Sequence, residues 1–258
     1  MLADDDAARI KKLAPGVYRL ADAGGQFAFI PAFTPVKKDG PKLLQFTTGP
    51  VSDLMVHIDA FARAGKKYAD VGATHKTGII LHGRPGTGKT CAAMQLMVHM
   101  TKEYRAVCID ATGCHDHLVT LAAAHVRRSQ DNLIVMFIDE AESFLQREGA
   151  LSFLDGSDSV DGCIFIGCTN ELAHVPEKIT KRPSRVRFVL EIDRLPVEVY
   201  HEFIRDKMKD WDEAKQSEIA HMVYDRGLTI DELKHALIDT HAYGTTIGKA
   251  IKGARALA

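Results

Sequence analysis

Eight consecutive residues, Gly83-Arg84-Pro85-Gly86-Thr87-Gly88-Lys89-Thr90, have the types and spacing to hold a chain of phosphates. Glycine at Gly83, Gly86 and Gly88 lets the backbone turn successive N–H groups inward at anionic oxygens, and a helix starting at Lys89 adds its positive end. Lys89 reaches the β and γ phosphates, while the Thr90 hydroxyl is a hard oxygen ligand for Mg2+. Pro85, Thr87 and Cys91 complete the expected nucleotide-binding set.

A second segment, Leu133-Ile134-Val135-Met136-Phe137-Ile138-Asp139-Glu140, is an apolar strand that ends in two carboxylates. Such a strand carries its C-terminal end rigidly to the sheet edge where ligands bind. Asp139 suits the outer coordination shell of the magnesium that Thr90 holds, and Glu140 suits the base that orients and polarises an attacking water. Together the two segments predict that the chain binds ATP with Mg2+ and hydrolyses it.

These residues need elements to place them. Apolar runs at Gly78 to Leu81, Ala106 to Ile109, Leu133 to Ile138, Cys163 to Gly167 and Val186 to Ile192 alternate with helical patterns, notably Lys89 to Tyr104 and His117 to Arg128. That alternation predicts an α/β fold, a P-loop core with a five-stranded parallel sheet covered on both faces. One helix is expected from Ser52 to about Val71, stopped by Gly72. After Leu195-Pro196 only helices are expected: Val197 to Met208, Asp212 to Arg226, Ile230 to Tyr243 and Thr246 to Leu257. Thr229 and Glu232 form a capping box for the third of them. In the last, Ile247, Ala250, Ile251, Ala254 and Leu257 make one apolar stripe. Upstream, Gly16 to Asp22 and Gln26 to Phe33 read as a hairpin around Gly24-Gly25, after which Pro31 and Pro35 break regularity and Lys37 to Lys42 reads as a linker. The expected organisation is an N-terminal extension over 1–50, an ATPase core over 51–194 and a small helical lid over 195–258.

On these motifs the chain resembles the AAA clade of the AAA+ ATPases, over about Gly49 to Leu233. Its spacing is most similar to the mitochondrial complex III assembly type, without the membrane anchor. Tyr68 and His75 to His82 look like the family's approach to the phosphate loop. The resemblance places Asn170, which ends Cys163-Ile164-Phe165-Ile166-Gly167-Cys168-Thr169-Asn170, where a polar residue helps hold the lytic water. It likewise implies that Arg182 and Arg185, in Lys181-Arg182-Pro183-Ser184-Arg185-Val186, act as fingers at a neighbouring subunit's γ phosphate. A homo-oligomer follows, expected as a hexameric ring acting on a protein partner.

The chain also departs from that family. Asp110 to His117 lacks the aromatic grip by which many members thread polypeptide. Ser157 replaces the phenylalanine of an intersubunit Asp-Gly-Phe, at Asp155-Gly156-Ser157, and the segment Ala141 to Leu154 is short. In the lid, Ile230-Asp231 replaces a Gly-Ala pair, and no arginine stands as a second sensor. Two other readings compete. One is an ATP-dependent loader or regulator on nucleic acid, using Lys102, Arg105, Arg127 and Arg128 as a basic surface. The other is a small-molecule kinase, which would need no neighbour's arginine.

Composition narrows the classes further. With 258 residues and 46% apolar content the chain can bury a substantial core. Its 33 basic and 34 acidic residues give a net charge of −1, which offers no global attraction to nucleic acid or an anionic membrane. Five cysteines do not suggest a disulfide framework, and Cys108, Cys163 and Cys168 are expected as buried thiols. Cys114-His115-Asp116-His117 has no second ligand group at a zinc-like spacing and reads as a polar loop. The acidic start Met1 to Asp6 lacks a secretory pattern and no apolar run could span a membrane, so a reducing, cytoplasmic setting is the expectation.

Overall fold

The computed structural model describes residues 12–22, 27–33, 46–156 and 158–253. The acidic start, the Gly24-Gly25 turn with Gln26, Pro35 and the 37–42 linker, Ser157, Ala254 and Leu257 lie outside the described residues. Strands are β1 (Gly16–Asp22), β2 (Phe27–Phe33), β3 (Lys76–His82), β4 (Val107–Asp110), β5 (Ile134–Ile138), β6 (Cys163–Thr169) and β7 (Phe188–Glu191). Helices are α1 (Pro50–Ala62), α2 (Gly65–Asp70), α3 (Lys89–Tyr104), α4 (Asp116–Ser129), α5 (Glu142–Leu145), α6 (Glu148–Asp155), α7 (Glu177–Thr180), α8 (Val197–Lys207), α9 (Glu213–Asp225), α10 (Ile230–Tyr243) and α11 (Ile247–Gly253).

One sheet runs through the molecule in the order β2-β1-β4-β5-β6-β3-β7. The five strands expected from the alternating pattern are β4, β5, β6, β3 and β7, which run parallel. The sheet has seven strands because β1 pairs in parallel with β4, from Gly16 opposite Val107 to Arg19 opposite Asp110, and β2 pairs antiparallel to β1. The hairpin is held there by burial on both faces. Val17 joins the core beneath α3, and Leu20 joins the core beneath α4. Pro31 stands inside β2 rather than ending it, and the register shifts opposite, between Val17 and Tyr18.

Two apolar layers sandwich the sheet, as parallel strands require. Along β3, Ile79 and Leu81 face α1, α3 and the lid helices, whereas Ile80 faces α4 and α6; all three are fully buried. Burying each such side chain contributes roughly 1.5–3 kcal/mol. The layer beneath α3 continues through Ile192 and Leu195 into Val199, Tyr200, Val223 and Leu233, so the C-terminal helices share it.

Register sets the site. His82 lies opposite Thr169, and Ile138 lies opposite Gly167. The loop after β3, the turn after β5 and the end of β6 therefore open at one edge of the sheet.

One local expectation needs correction. The single helix over 52–71 is two, α1 and α2, because the chain tightens at the Ala64 N–H to Phe61 carbonyl bond of 2.9 Å. The bend brings the Tyr68 ring edge-on to Phe61 at 5.8 Å, and buried His75 stacks on Phe61 at 4.1 Å. The short segment after Glu140 carries the helices α5 and α6. The helices α8, α9 and α10 start and stop within a residue of their expected positions, α11 starts at Ile247, and both hydrogen bonds of the Thr229–Glu232 capping box form.

Candidate active site

The phosphate loop leaves β3 at Gly83 and enters α3 at Lys89. Gly83, Gly86 and Gly88 have φ of +144°, +78° and +99°, the region open to glycine. Space also demands it: a side chain at Gly83 would collide with the Ile192 carbonyl, and one at Gly86 would lie 2.9 Å from Asp231 Cβ. Thr87 is buried and donates its hydroxyl to the Arg84 carbonyl at 2.9 Å, which closes the loop on itself. Pro85 and Gly86 are exposed at the tip, and Cys91 is half-buried in the first turn of α3.

Lys89 is buried, and its ammonium donates to the carbonyls of Gly83 at 2.7 Å and Arg84 at 2.8 Å. Burial lowers its pKa, against the opposing pull of acidic groups that include Asp139 and Glu142. A buried cation at the mouth of a glycine loop is a receptor for an anion.

Thr90 donates its hydroxyl to Asp139 Oδ2 at 2.8 Å. This joins the start of α3 to the end of β5. Both groups are hard oxygens beside the loop, the donor chemistry Mg2+ prefers, so the residues present fit that ion. The Asp139 N–H donates to Thr112 Oγ1 at 2.9 Å, and the Glu140 N–H donates to Asp139 Oδ1 at 3.1 Å. Glu140 is exposed and has φ of +49°, an uncommon conformation for a side chain of its size. No described residue bonds its carboxylate.

Asn170 is exposed just beyond β6. Its backbone N–H donates to Glu142 Oε1 at 3.1 Å. The same oxygen accepts from the buried Thr169 hydroxyl. Reasoning from sequence passed over Glu142, Thr169, Thr112 and Arg84. The acidic residue two places after Glu140 was visible, but its partner lies 28 residues on.

The two candidate finger arginines have different surroundings. Arg182 is exposed, and its side chain meets no described partner. Arg185 is largely enclosed: Nη1 donates to the Lys178 carbonyl at 2.6 Å, and Nε lies 3.6 Å from Asp155 Oδ2. Asp155 also accepts from Ser184 at 3.0 Å and pairs with Lys76 at 3.3 Å.

The lid reaches the loop directly. The Asp231 N–H donates to the Gly86 carbonyl at 3.2 Å. Arg84 Nε pairs with Asp193 Oδ1 at 2.5 Å, and its Nη2 donates to the Gly227 carbonyl at 3.2 Å.

Other candidates fare less well. Arg127, expected on a basic surface with Lys102, Arg105 and Arg128, spends its guanidinium on the carbonyls of Gln130, Asn132 and Gly162. It closes the C-terminal end of α4 and the turn before β6. Cys114 donates to the Leu20 carbonyl at 3.4 Å, and no group of three or more metal-binding side chains occurs among the described residues. Cys108 and Cys163 are buried free thiols whose pKa burial pushes up to about 12, and buried Cys168 is raised too.

Residues 79–194, from within β3 to the base of the lid, match the model of the ATPase family associated with various cellular activities (AAA). The chain carries an AAA ATPase domain. Such a domain uses ATP with Mg2+ and hydrolyses it, and the matched span holds the phosphate loop, Asp139, Glu140, Asn170, Arg182 and Arg185. The AAA domain is similar to part of the ATP-dependent zinc metalloprotease FtsH of Ureaplasma parvum, with 30% identity over 155 residues, 52% of this chain and 21% of that protein. A YME1 homolog from Schistosoma mansoni, also an ATP-dependent zinc metalloprotease, is 30% identical over 152 residues, 51% of this chain and 22% of its own length. FtsH of Bacillus subtilis is 26% identical over 161 residues, 54% of this chain and 25% of that protein. The chain thus spans about a fifth to a quarter of these relatives. Among the described residues no helix is long and apolar enough to cross a membrane.

Proposed function

We propose that this chain is an ATP-driven remodeller of protein partners that works as a homo-oligomeric ring, in which one subunit's arginine completes its neighbour's site. The contact that carries the reading is Thr90 with Asp139, which brings the phosphate loop and the carboxylate strand to one point.

Inward N–H groups of the loop and the start of α3 bind the triphosphate. Lys89 exchanges its two loop carbonyls for phosphate oxygens, a trade of one set of charge-assisted bonds for a stronger one. Thr90 and Asp139 would hold Mg2+, which would supply positive charge to the phosphate tail. Glu140 projects from a backbone fixed on either side, takes the hydrogen-bonding position beside the water and polarises it. Asn170 steadies that water from the end of β6. Arg182, exposed and without a partner among the described residues, is the better-placed finger for a neighbour's γ phosphate. The Asp231 to Gly86 bond and the Arg84 bridge let the lid follow the loop.

A protein client is supported by the relatives, whose names are those of ATP-dependent proteases. The loop 110–117 offers polar groups and no aromatic side chain, so a client is held by contacts other than an aromatic grip. The free, buried cysteines suit a reducing, cytoplasm-like setting.

The test is Glu140→Gln beside Lys89→Ala. Glu140→Gln should keep ATP bound by calorimetry and release phosphate about 100-fold more slowly, with closed rings visible by electron microscopy. Lys89→Ala should show no binding heat. Normal turnover by Glu140→Gln would remove Glu140 from the role of base.

A further inference from the structure

Four consecutive residues, Asp139 to Glu142, make the turn that leaves β5, and their tethers are unequal. Asp139 is held from both sides, by Thr90 on its carboxylate and by Thr112 on its N–H. The Ala141 N–H donates to the Cys168 carbonyl at 2.8 Å, which docks the turn on β6. Glu142 then reaches across to Thr169 and to the Asn170 N–H with one oxygen. Of the three carboxylates in this turn, that of Glu140 alone is bonded by no described residue, and Glu140 alone of the four residues has positive φ.

A φ of +49° costs a residue such as glutamate about 1 kcal/mol or more, and persists only where neighbours over-determine it. The neighbours here are Asp139 on one side and the Ala141–Glu142 attachment to β6 on the other. The chemistry at Thr169 is one-sided too. Its hydroxyl has a single proton and two acceptors in reach, Glu142 Oε1 and the Glu171 carbonyl at 3.0 Å. A carboxylate makes the stronger, charge-assisted bond. The hydroxyl oxygen meanwhile accepts the Glu171 N–H at 3.1 Å, so the Thr169 to Glu171 turn that presents Asn170 is organised around the Glu142 carboxylate.

We propose that Glu142 is a positioning residue for hydrolysis: its carboxylate clips the end of β6 to the turn after β5 and so fixes the spacing between Glu140 and Asn170. This rests on the ATPase reading given above. Glu142 touches neither water nor phosphate in this role; it acts through the two residues that do. Displacing a reacting group by about 1 Å costs on the order of 100-fold in rate. Binding draws on the loop, Lys89 and Thr90, none of which Glu142 bonds.

The experiment uses the full chain. Glu142→Ala should lower kcat about 100-fold, while ATP affinity, read by calorimetry, stays within about 3-fold, or under roughly 0.7 kcal/mol. Glu142→Gln retains a carbonyl oxygen for the Asn170 N–H and the Thr169 hydroxyl, and should recover most of the rate. Thr169→Val should reduce kcat in the same direction, and the double variant Glu142→Ala/Thr169→Val should fall no lower than the worse single one, because one link is being cut twice. Wild-type kcat in Glu142→Ala would overturn the clip while leaving the ATPase reading intact. So would parallel loss of affinity and rate, or failure of Glu142→Gln to recover. Wild-type protein that neither binds nor hydrolyses ATP would remove both readings.

Discussion

Arg84 and Asp193 tie the phosphate loop to the base of the lid across 109 residues of sequence, with Nε and Oδ1 2.5 Å apart. Both side chains are more than a third exposed, so as a surface pair they contribute only about 0.2–1 kcal/mol to stability. Their position matters more than their strength, because Arg84 also donates to the Gly227 carbonyl. Arg84→Ala should shift Tm by no more than about 3 °C. It should speed release of a fluorescent ADP about 5-fold, the equivalent of roughly 1 kcal/mol. Stopped-flow release unchanged from wild type would show that lid and loop are not coupled through this pair.

Arg182 and Arg185 should separate cleanly. Arg182→Ala removes an exposed side chain without described partners, so the fold should be unaffected while turnover drops about 1000-fold and ATP binding persists. Arg185→Ala instead strips Asp155 and the Lys178 carbonyl of a partner, and should cost on the order of 2 kcal/mol by urea denaturation. Mixing Arg182→Ala with Glu140→Gln subunits tests action between chains: partial recovery of phosphate release requires a site shared by two subunits.

Asp155 gives the fold a pH dependence of known sign. Burial would raise its pKa, but hydrogen bonds from Ser184 and Lys76 and the charges of Lys76 and Arg185 outweigh this and hold it below the ordinary aspartate value. A depressed carboxylate stabilises the native state fully above its unfolded pKa of about 3.9, and that contribution fades as pH falls through the folded value. Asp155→Asn should therefore lower the urea midpoint at pH 7, and the gap from wild type should narrow below about pH 4. A gap constant from pH 7 to pH 3 would contradict the assignment.

What could be read in the sequence was local. The apolar run ending at Asp139-Glu140, the glycine spacing from Gly83 to Gly88 and the Thr229–Glu232 cap each announce themselves within a few residues, since period and turn chemistry act at that range. What escaped depends on pairs far apart in the chain. Glu142 is one more acidic residue near a helix start until β6 arrives beside it. Arg84 occupies a variable place in the loop until Asp193 meets it. Arg182 and Arg185 look alike in sequence, and only folding encloses one and leaves the other bare. Arg127 looked solvated for the same reason, yet three carbonyls converge on it. The β1–β2 hairpin was visible as a hairpin, but its place in the sheet depends on β4, some 90 residues later.

That hairpin also decides which strand the molecule shows to its surroundings. With β1 laid along β4, the rim on that side passes to β2, where Pro31 has no N–H to donate. The β1–β2 pair thus covers the β4 ladder and leaves β2 and β7 as the outer strands among the described residues. A chain cut back to residues 51–258 would bare the β4 ladder as a new parallel edge, a template for pairing with a second strand.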